Sequence, residues 1–269
     1  MNTGATKHHD YVIAEISPEQ FIAEHTLAYV IKGVITIYDG NKNITLKSGD
    51  YCLARKNRLA RYKKEKVNDE LEKVFVPFDE KFLKMFREKY KTKATKFDST
   101  ETIIKIKPNP LMPDFIRSLL PYYHHGGQID ERYADVKKEE LLLILLQNQQ
   151  ELAGIFFDFG MPEKINLEEF MNRNYTFNVS TQKLAYLTGR SLSSFKRDFK
   201  TIFHETPNRW LVQKRLQEAH FLIDKKNKKP SEIYYDLGFE DLSHFSFAFK
   251  KLFGLAPTEL TRQRMNIGR

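Results

Sequence analysis

Cysteine is almost missing from this sequence: Cys52 is the only one among 269 residues. A single thiol forms no internal disulfide, which excludes a disulfide-stapled scaffold and suits a reducing compartment. Long apolar runs are missing as well. The stretch LLLILL, Leu141 to Leu146, falls far short of the roughly 20 residues a membrane-crossing helix needs. The opening MNTGATKHHDYVIAE has no apolar segment of the kind a secretory signal carries. The expectation is a cytoplasmic protein without a membrane partner. Catalytic signatures are also lacking: there is no nucleophile elbow, phosphate loop or metalloprotease helix.

What is present is an ordinary globular composition, 41% apolar and 29% charged, in a chain long enough for two domains. Its net charge of +9 is unevenly shared. From Glu163 onward there are 19 Lys and Arg against 12 Asp and Glu, a net +7; the first 162 residues hold 25 against 23, a net +2. A basic C-terminal part on a nearly neutral N-terminal part points to a polyanionic partner for one end only.

Residues 11 to 77 read as short strands. LAYVIKGVITIYDG and NITLKSGDYCLARKN are β-branched and aromatic, broken by turn signals at Lys32-Gly33, Asp39-Gly40 and Ser48-Gly49-Asp50. Such strands suggest a small sandwich or barrel. Helical spacing begins at Asp79. Phe82, Leu83, Met85 and Phe86 are expected on one face, a second helix ends near Pro121, and a third runs through VKKEELLLILLQNQQELAGIF with Leu141, Leu142, Leu145 and Leu152 buried. Near-continuous apolarity around LLLILL means burial, either within its own domain or against a second copy, and the dimer is the favoured expectation. Domains are expected at 1–158 and 167–269, with 159–166 as linker.

Beyond the linker the chain is helical, with Ser180, Ser191, Ser231 and Asp241 standing where helix N-caps are wanted. Here it repeats itself. LSSFKRDFKTIFHETP, Leu192 to Pro207, returns as LSHFSFAFKKLFGLAP, Leu242 to Pro257. Phe195, Phe199 and Phe203, and again Phe245, Phe249 and Phe253, lie four residues apart and form core stripes. Each repeat follows a short helix ending in glycine, Gly189 or Gly238, so each is a helix-turn-helix unit. The helix between them, Pro207 to about Lys226, spans roughly 30 Å at about 1.5 Å per residue. One turn of B-DNA is about 34 Å, so two readers on such a strut can enter successive major grooves.

KLAYLTGRS, then QKRLQEAHFLI, then IYYDLGFEDLSHFSFAFKKLFGLAP resembles the AraC/XylS family of bacterial transcription regulators over about residues 163 to 265. The resemblance implies base contacts from Leu192, Ser193, Lys196 and Arg197 in the first reader. In the second it implies Leu242, Ser243, His244, Ser246 and Phe247. Arg190, Lys200, Lys214 and Lys250 would hold phosphates. Lys196 and Arg197 can donate to guanine O6 and N7. Two departures stand out. His204 occupies a position where the family usually has glycine, so a distorted turn is expected before Pro207. Phe247 replaces a common arginine, and its ring would pack on a thymine methyl or on the protein. The run Lys225, Lys226, Lys228 and Lys229 reads as a helix end and solvated loop.

The strands resemble the cupin-like barrel that often precedes this kind of DNA-binding domain. Enzymatic cupins hold a metal through clustered histidines and a carboxylate. Here His25 stands alone among the strands, and His8, His9, His124 and His125 lie outside them, so neither metal nor cofactor is expected. Cys52 is expected to be a buried, inert thiol.

The fold class expected is α+β in two domains: a cupin-like barrel with following helices, then an all-α domain of two helix-turn-helix units on a long helix. The function expected is a sequence-specific DNA-binding regulator, non-enzymatic, answering to a signal at its N-terminal domain. Its partners would be double-stranded DNA and RNA polymerase, with a small-molecule or protein effector and a homodimer as further expectations. The alternatives are a metal-dependent cupin enzyme with a DNA-binding tail and a regulator controlled by a partner protein.

Overall fold

Turns at Gly33, Gly40 and Gly49, all with φ near +90°, cut the N-terminal region into short strands. The computed structural model describes residues 9–12, 20–67, 70–93, 97, 99–122 and 131–267. His8, His124 and His125 lie outside the described residues, whereas His9, expected outside the strands, opens the first of them. The chain divides into two units, 1–160 and 161–269.

The first unit has strands β1 (His9–Val12), β2 (Phe21–Ile22), β3 (His25–Lys32), β4 (Val34–Tyr38), β5 (Asn43–Lys47), β6 (Tyr51–Ala54), β7 (Arg58–Leu59), β8 (Arg61–Glu65) and β9 (Glu72–Phe78). Helix α1 (Glu80–Tyr90), strand β10 (Ile103–Lys105) and helices α2 (Leu111–Leu119), α3 (Glu131–Asn148) and α4 (Ala153–Phe156) follow. A five-stranded sheet runs β1-β9-β3-β6-β10, and a three-stranded one β5-β4-β8. A two-stranded ribbon pairs β2 with β7.

Strand alternation gives the larger sheet two buried faces. From β3, β6 and β10, Ala28, Val30, Cys52 and Ile103 meet Ile35, Ile37 and Leu46 of the small sheet. From the opposite face Leu27, Leu53, Val74, Val76, Phe78 and Ile104 meet the helices. The helices thus cover one side of the large sheet and the small sheet covers the other.

Several expectations change here. Met85 is 60% exposed, although Phe82, Leu83 and Phe86 are buried as the spacing requires. The third helix breaks at Gln149, whose buried side chain accepts from the Lys107 amide at 2.6 Å, and a short turn precedes α4. Leu141, Leu142, Ile144 and Leu145 all lie in the core of their own unit, so the apolarity of LLLILL is consumed there. Only Leu143 among them faces outward.

His25 is buried beside Phe156; its Nδ1 accepts from the Lys56 amide at 3.2 Å, and Nε2 has no hydrogen bond of good geometry. Burial, then the Lys56 and Arg55 cations, pushes its pKa down to about 3. Cys52 is buried and its thiol is pushed up to about 12 by desolvation, which makes it a poor nucleophile. Among the described residues, no group of three His, Cys, Asp or Glu could hold a metal ion. No helix among them is long and apolar enough to cross a membrane.

The second unit is helical: α5 (Leu167–Asn174), α6 (Thr181–Leu187), α7 (Leu192–Phe203), α8 (Pro207–Lys226), α9 (Pro230–Ile233), α10 (Leu242–Phe253) and α11 (Pro257–Ile267). It has two cores. Leu167, Met171, Leu184, Ala185, Phe195, Phe199 and Leu211 form the first. Leu216, Ala219, Ile223, Ile233, Phe245, Phe249 and Leu260 form part of the second. The N-terminal half of α8 therefore belongs to one core and its C-terminal half to the other.

Candidate nucleic-acid interface

The sequence repeat is a structural repeat. Helices α7 and α10 are each 12 residues long, and each is capped by the residue before it. Ser191 accepts from the Ser194 amide at 3.3 Å, and Asp241 accepts from the His244 amide at 2.6 Å. Each ends on a left-handed residue, His204 (φ 55°) or Gly254 (φ 79°), whose amide returns to the carbonyl of Lys200 or Lys250. His204 thus adopts the glycine conformation, and the turn before Pro207 keeps the same cap as its twin: the expected distortion does not occur. An L-residue there costs roughly 1–2 kcal/mol relative to a right-handed conformation. Ser180 caps α6, whereas Ser231 is not a cap. Pro230 takes the first helical position, Lys229 becomes the cap, and Glu232 accepts from the Lys229 amide at 3.2 Å.

The turns inside the two units need glycine for a second reason. A Cβ on Gly189 (φ +65°) would lie 2.5 Å from the Glu163 carbonyl oxygen, because the incoming chain crosses directly over it. A Cβ on Gly238 (φ +82°) would lie 2.6 Å from the Thr176 carbonyl oxygen and 2.8 Å from Arg215 Cζ.

With Phe195 and Phe199 buried, α7 turns Ser193, Lys196, Arg197 and Lys200 outward. The side chain of Arg197 is 76% exposed; its Nη2 donates to Asp198 Oδ1 at 3.2 Å and to Ser194 Oγ at 3.4 Å. Asp198 in turn is held by the Arg190 guanidinium, which keeps its carboxyl below the usual range. On α10 the outward set is Leu242, Ser243, His244, Phe247 and Lys250, with Ser246 half-buried. His244 leans edge-on against Phe239, centroids 5.9 Å apart.

Three expected contact residues sit elsewhere. Arg190 is enclosed, its side chain 7% exposed, and donates to the carbonyls of Thr188 (2.7 Å) and Ile165 (3.0 Å) and to Asp198 (3.2 Å). It fastens the incoming chain to the first turn and is not available to phosphate. Leu192 is half-buried against the first core, so it supports α7 from inside. Lys214 is half-buried, its ammonium about 6 Å above the rings of Tyr175 and Trp210. The four lysines at 225, 226, 228 and 229 are exposed around the Asn227 cap, as a solvated helix end requires.

One residue escaped the sequence reading. Arg215 lies on the buried face of α8, between Leu211 and Ala219, and is 7% exposed. Its Nε donates to the Tyr175 carbonyl at 2.7 Å, Nη2 to Phe177 at 2.9 Å and Nη1 to Gly238 at 2.9 Å. One guanidinium therefore joins the segment after α5 to the turn that launches α10. Asn178 Nδ2 adds a second link, donating to Glu240 at 2.9 Å. The signal was in the spacing: Leu211, Arg215, Ala219 and Ile223 recur every fourth residue, and one of these core positions is charged.

Two capped, outward-facing basic or polar helices of equal length, each behind a glycine turn, define a helix-turn-helix DNA-binding protein. Comparison with known proteins extends this to the N-terminal unit as well. Residues 184–263 match a helix-turn-helix domain model, and residues 25–155 match the ExsA N-terminal regulatory domain. The chain belongs to the AraC family of transcription regulators, as a DNA-binding regulator with an N-terminal regulatory domain. It is 22% identical to the thermoregulatory protein LcrF of Yersinia pestis, over 91% of this chain and 92% of that one. It is 21% identical to the transcriptional regulator ExsA of Pseudomonas aeruginosa, over 87% and 85%. An apo form of ToxT from Vibrio cholerae is 15% identical, with 90% of each chain covered and a TM-score of 0.44. LcrF and ExsA are regulators and lend the enzyme alternative no support.

Proposed function

We propose that α7 and α10 enter successive major grooves of one duplex, held apart by α8. The observation that carries this is the repeat itself: equal helices with equivalent caps, presenting the same offsets outward, at either end of a 20-residue strut of roughly 30 Å. Ser193, Lys196 and Arg197 would read bases in the first groove. Leu242, Ser243, His244, Ser246 and Phe247 would read the second, and Lys200 and Lys250 would hold phosphates. The DNA-bound chain would act without catalysis, by recruiting or blocking RNA polymerase, and a homodimer would place two such readers on one promoter. A cytoplasmic site of action follows from that role.

Control by the N-terminal unit is part of the proposal. The space between its sheets is occupied by Ala28, Val30, Ile35, Ile37, Leu46, Cys52, Phe75 and Ile103. That packing favours a partner protein over an enclosed small molecule as the signal.

Binding measured on a selected and a random duplex tests the readers. Arg197→Ala is expected to relax preference at one position by about 1–3 kcal/mol, while Lys200→Ala weakens all sequences alike and lowers the salt slope by about 1. Equal loss on both duplexes for Arg197→Ala would refute its reading role.

A further inference from the structure

The two outward faces have different chemistry although they occupy the same offsets. The fifth and sixth residues of α7 are Lys196 and Arg197; those of α10 are Ser246 and Phe247. Phe247 was expected to pack on a thymine methyl or on the protein. Phe247 is 71% exposed, and Leu242 in the first turn of the helix is 39% exposed, so both present apolar surface outside the core. By contrast Leu192, the matching residue of α7, is half-buried against its core.

Guanine is distinguished in the major groove by Lys or Arg on O6 and N7, and adenine by the amide of Asn or Gln. The first two turns of α10 carry neither pair on their outward face: Leu242, Ser243, His244, Ser246 and Phe247 come first, and Lys250 follows only in the last turn. What those turns offer is hydroxyls, the His244 imidazole and apolar surface, with no charged side chain. The C5-methyl of thymine is the one apolar feature of a base edge in that groove. An exposed phenylalanine in a unit of net charge +7 is therefore matched by the duplex that this charge attracts.

The geometry points to a division of labour: α10 recognises A·T pairs through contact of Phe247, supported by Leu242, with thymine methyl groups, while α7 recognises G·C pairs. This rests on the proposed placement of both helices in the major groove. The operator would accordingly have a guanine-bearing half and a thymine-bearing half about 10 base pairs apart.

The test uses the full chain on a duplex selected from a random pool, with each thymine replaced in turn by uracil, which lacks only the methyl. Replacement at one or two thymines should weaken binding about fourfold per methyl, the equivalent of about 0.8 kcal/mol. Those thymines should lie one turn from the base whose preference relaxes in Arg197→Ala. In Phe247→Ala the thymine–uracil difference should vanish, and selection with Phe247→Arg should enrich guanine at that position. If uracil is tolerated everywhere while Arg197→Ala still relaxes its base, the division of labour is refuted and the two-reader placement stands. If Phe247→Ala binds every duplex like wild type but loses self-association, the ring belongs to a protein contact and the inference fails. If selection enriches no sequence at all, the placement itself fails, and this inference with it.

Discussion

Replacing Arg215 by methionine removes the one side chain that holds three carbonyls from two separate segments of the DNA-binding unit. Each hydrogen bond from a charged donor contributes about 1.5–3 kcal/mol, and the abandoned carbonyls remain buried. Against that loss stands the cost of enclosing the cation. Burial lowers the Arg215 pKa to about 10, a penalty on the order of 3 kcal/mol that methionine would not incur. The difference leaves a destabilisation of about 2–6 kcal/mol, near the cost of breaking a buried charged contact. Trp210 is the only tryptophan and packs against Phe199 and Phe203 in this unit. Urea unfolding followed by its fluorescence therefore reports the unit directly. Arg215→Lys should recover little, because one ammonium does not reproduce a planar fork of donors aimed at three carbonyls. A methionine variant whose Trp210 transition stays within about 0.5 kcal/mol of wild type would show that the three contacts do not hold the unit together.

Three further outcomes follow from the same geometry. His204→Gly should stabilise the unit by about 1 kcal/mol in the same urea assay, since the position is left-handed, and Gly254→Ala should destabilise its twin by a similar amount. His25 has a folded pKa of about 3, below its unfolded value near 6.5. Stability that is intact above pH ~6.5 should therefore be lost as pH falls toward 5, at a slope approaching about 1.4 kcal/mol per pH unit, and His25→Leu should flatten that slope. Cys52 should resist a thiol reagent in the folded protein and react once the chain is unfolded in urea; rapid labelling of the native chain would contradict its burial.

The repeated helix-turn-helix was legible in the sequence because local rules determine it. The caps Ser191 and Asp241, the phenylalanine stripes, the glycine turns and the prolines at 207 and 257 act within a few residues, and they survive folding unchanged. The misplacements share one cause: contacts arriving from far along the chain. Arg190 looked like a phosphate clamp at a helix entrance, but one of the two carbonyls it holds belongs to Ile165, 25 residues earlier. Helical spacing put Met85 on the buried face, yet only packing decides where that face ends, and it ends before Met85. The break at Gln149 depends on the Lys107 amide, 42 residues away. Arg215 was visible as a charge on an apolar stripe, but its three partners lie 23 to 40 residues off. For the N-terminal strands, turn residues were informative and sheet order was not, since pairing β9 between β1 and β3 is a long-range choice.

In the proposed complex α8 fixes the distance between two readers on one side of the duplex. The decisive measurement of that spacing is the affinity of the full chain for its selected operator after base pairs are inserted between the two halves. Inserting about 5 base pairs, half a turn, should reduce binding to that of a single half-site. Affinity that is unchanged by such insertions would contradict it.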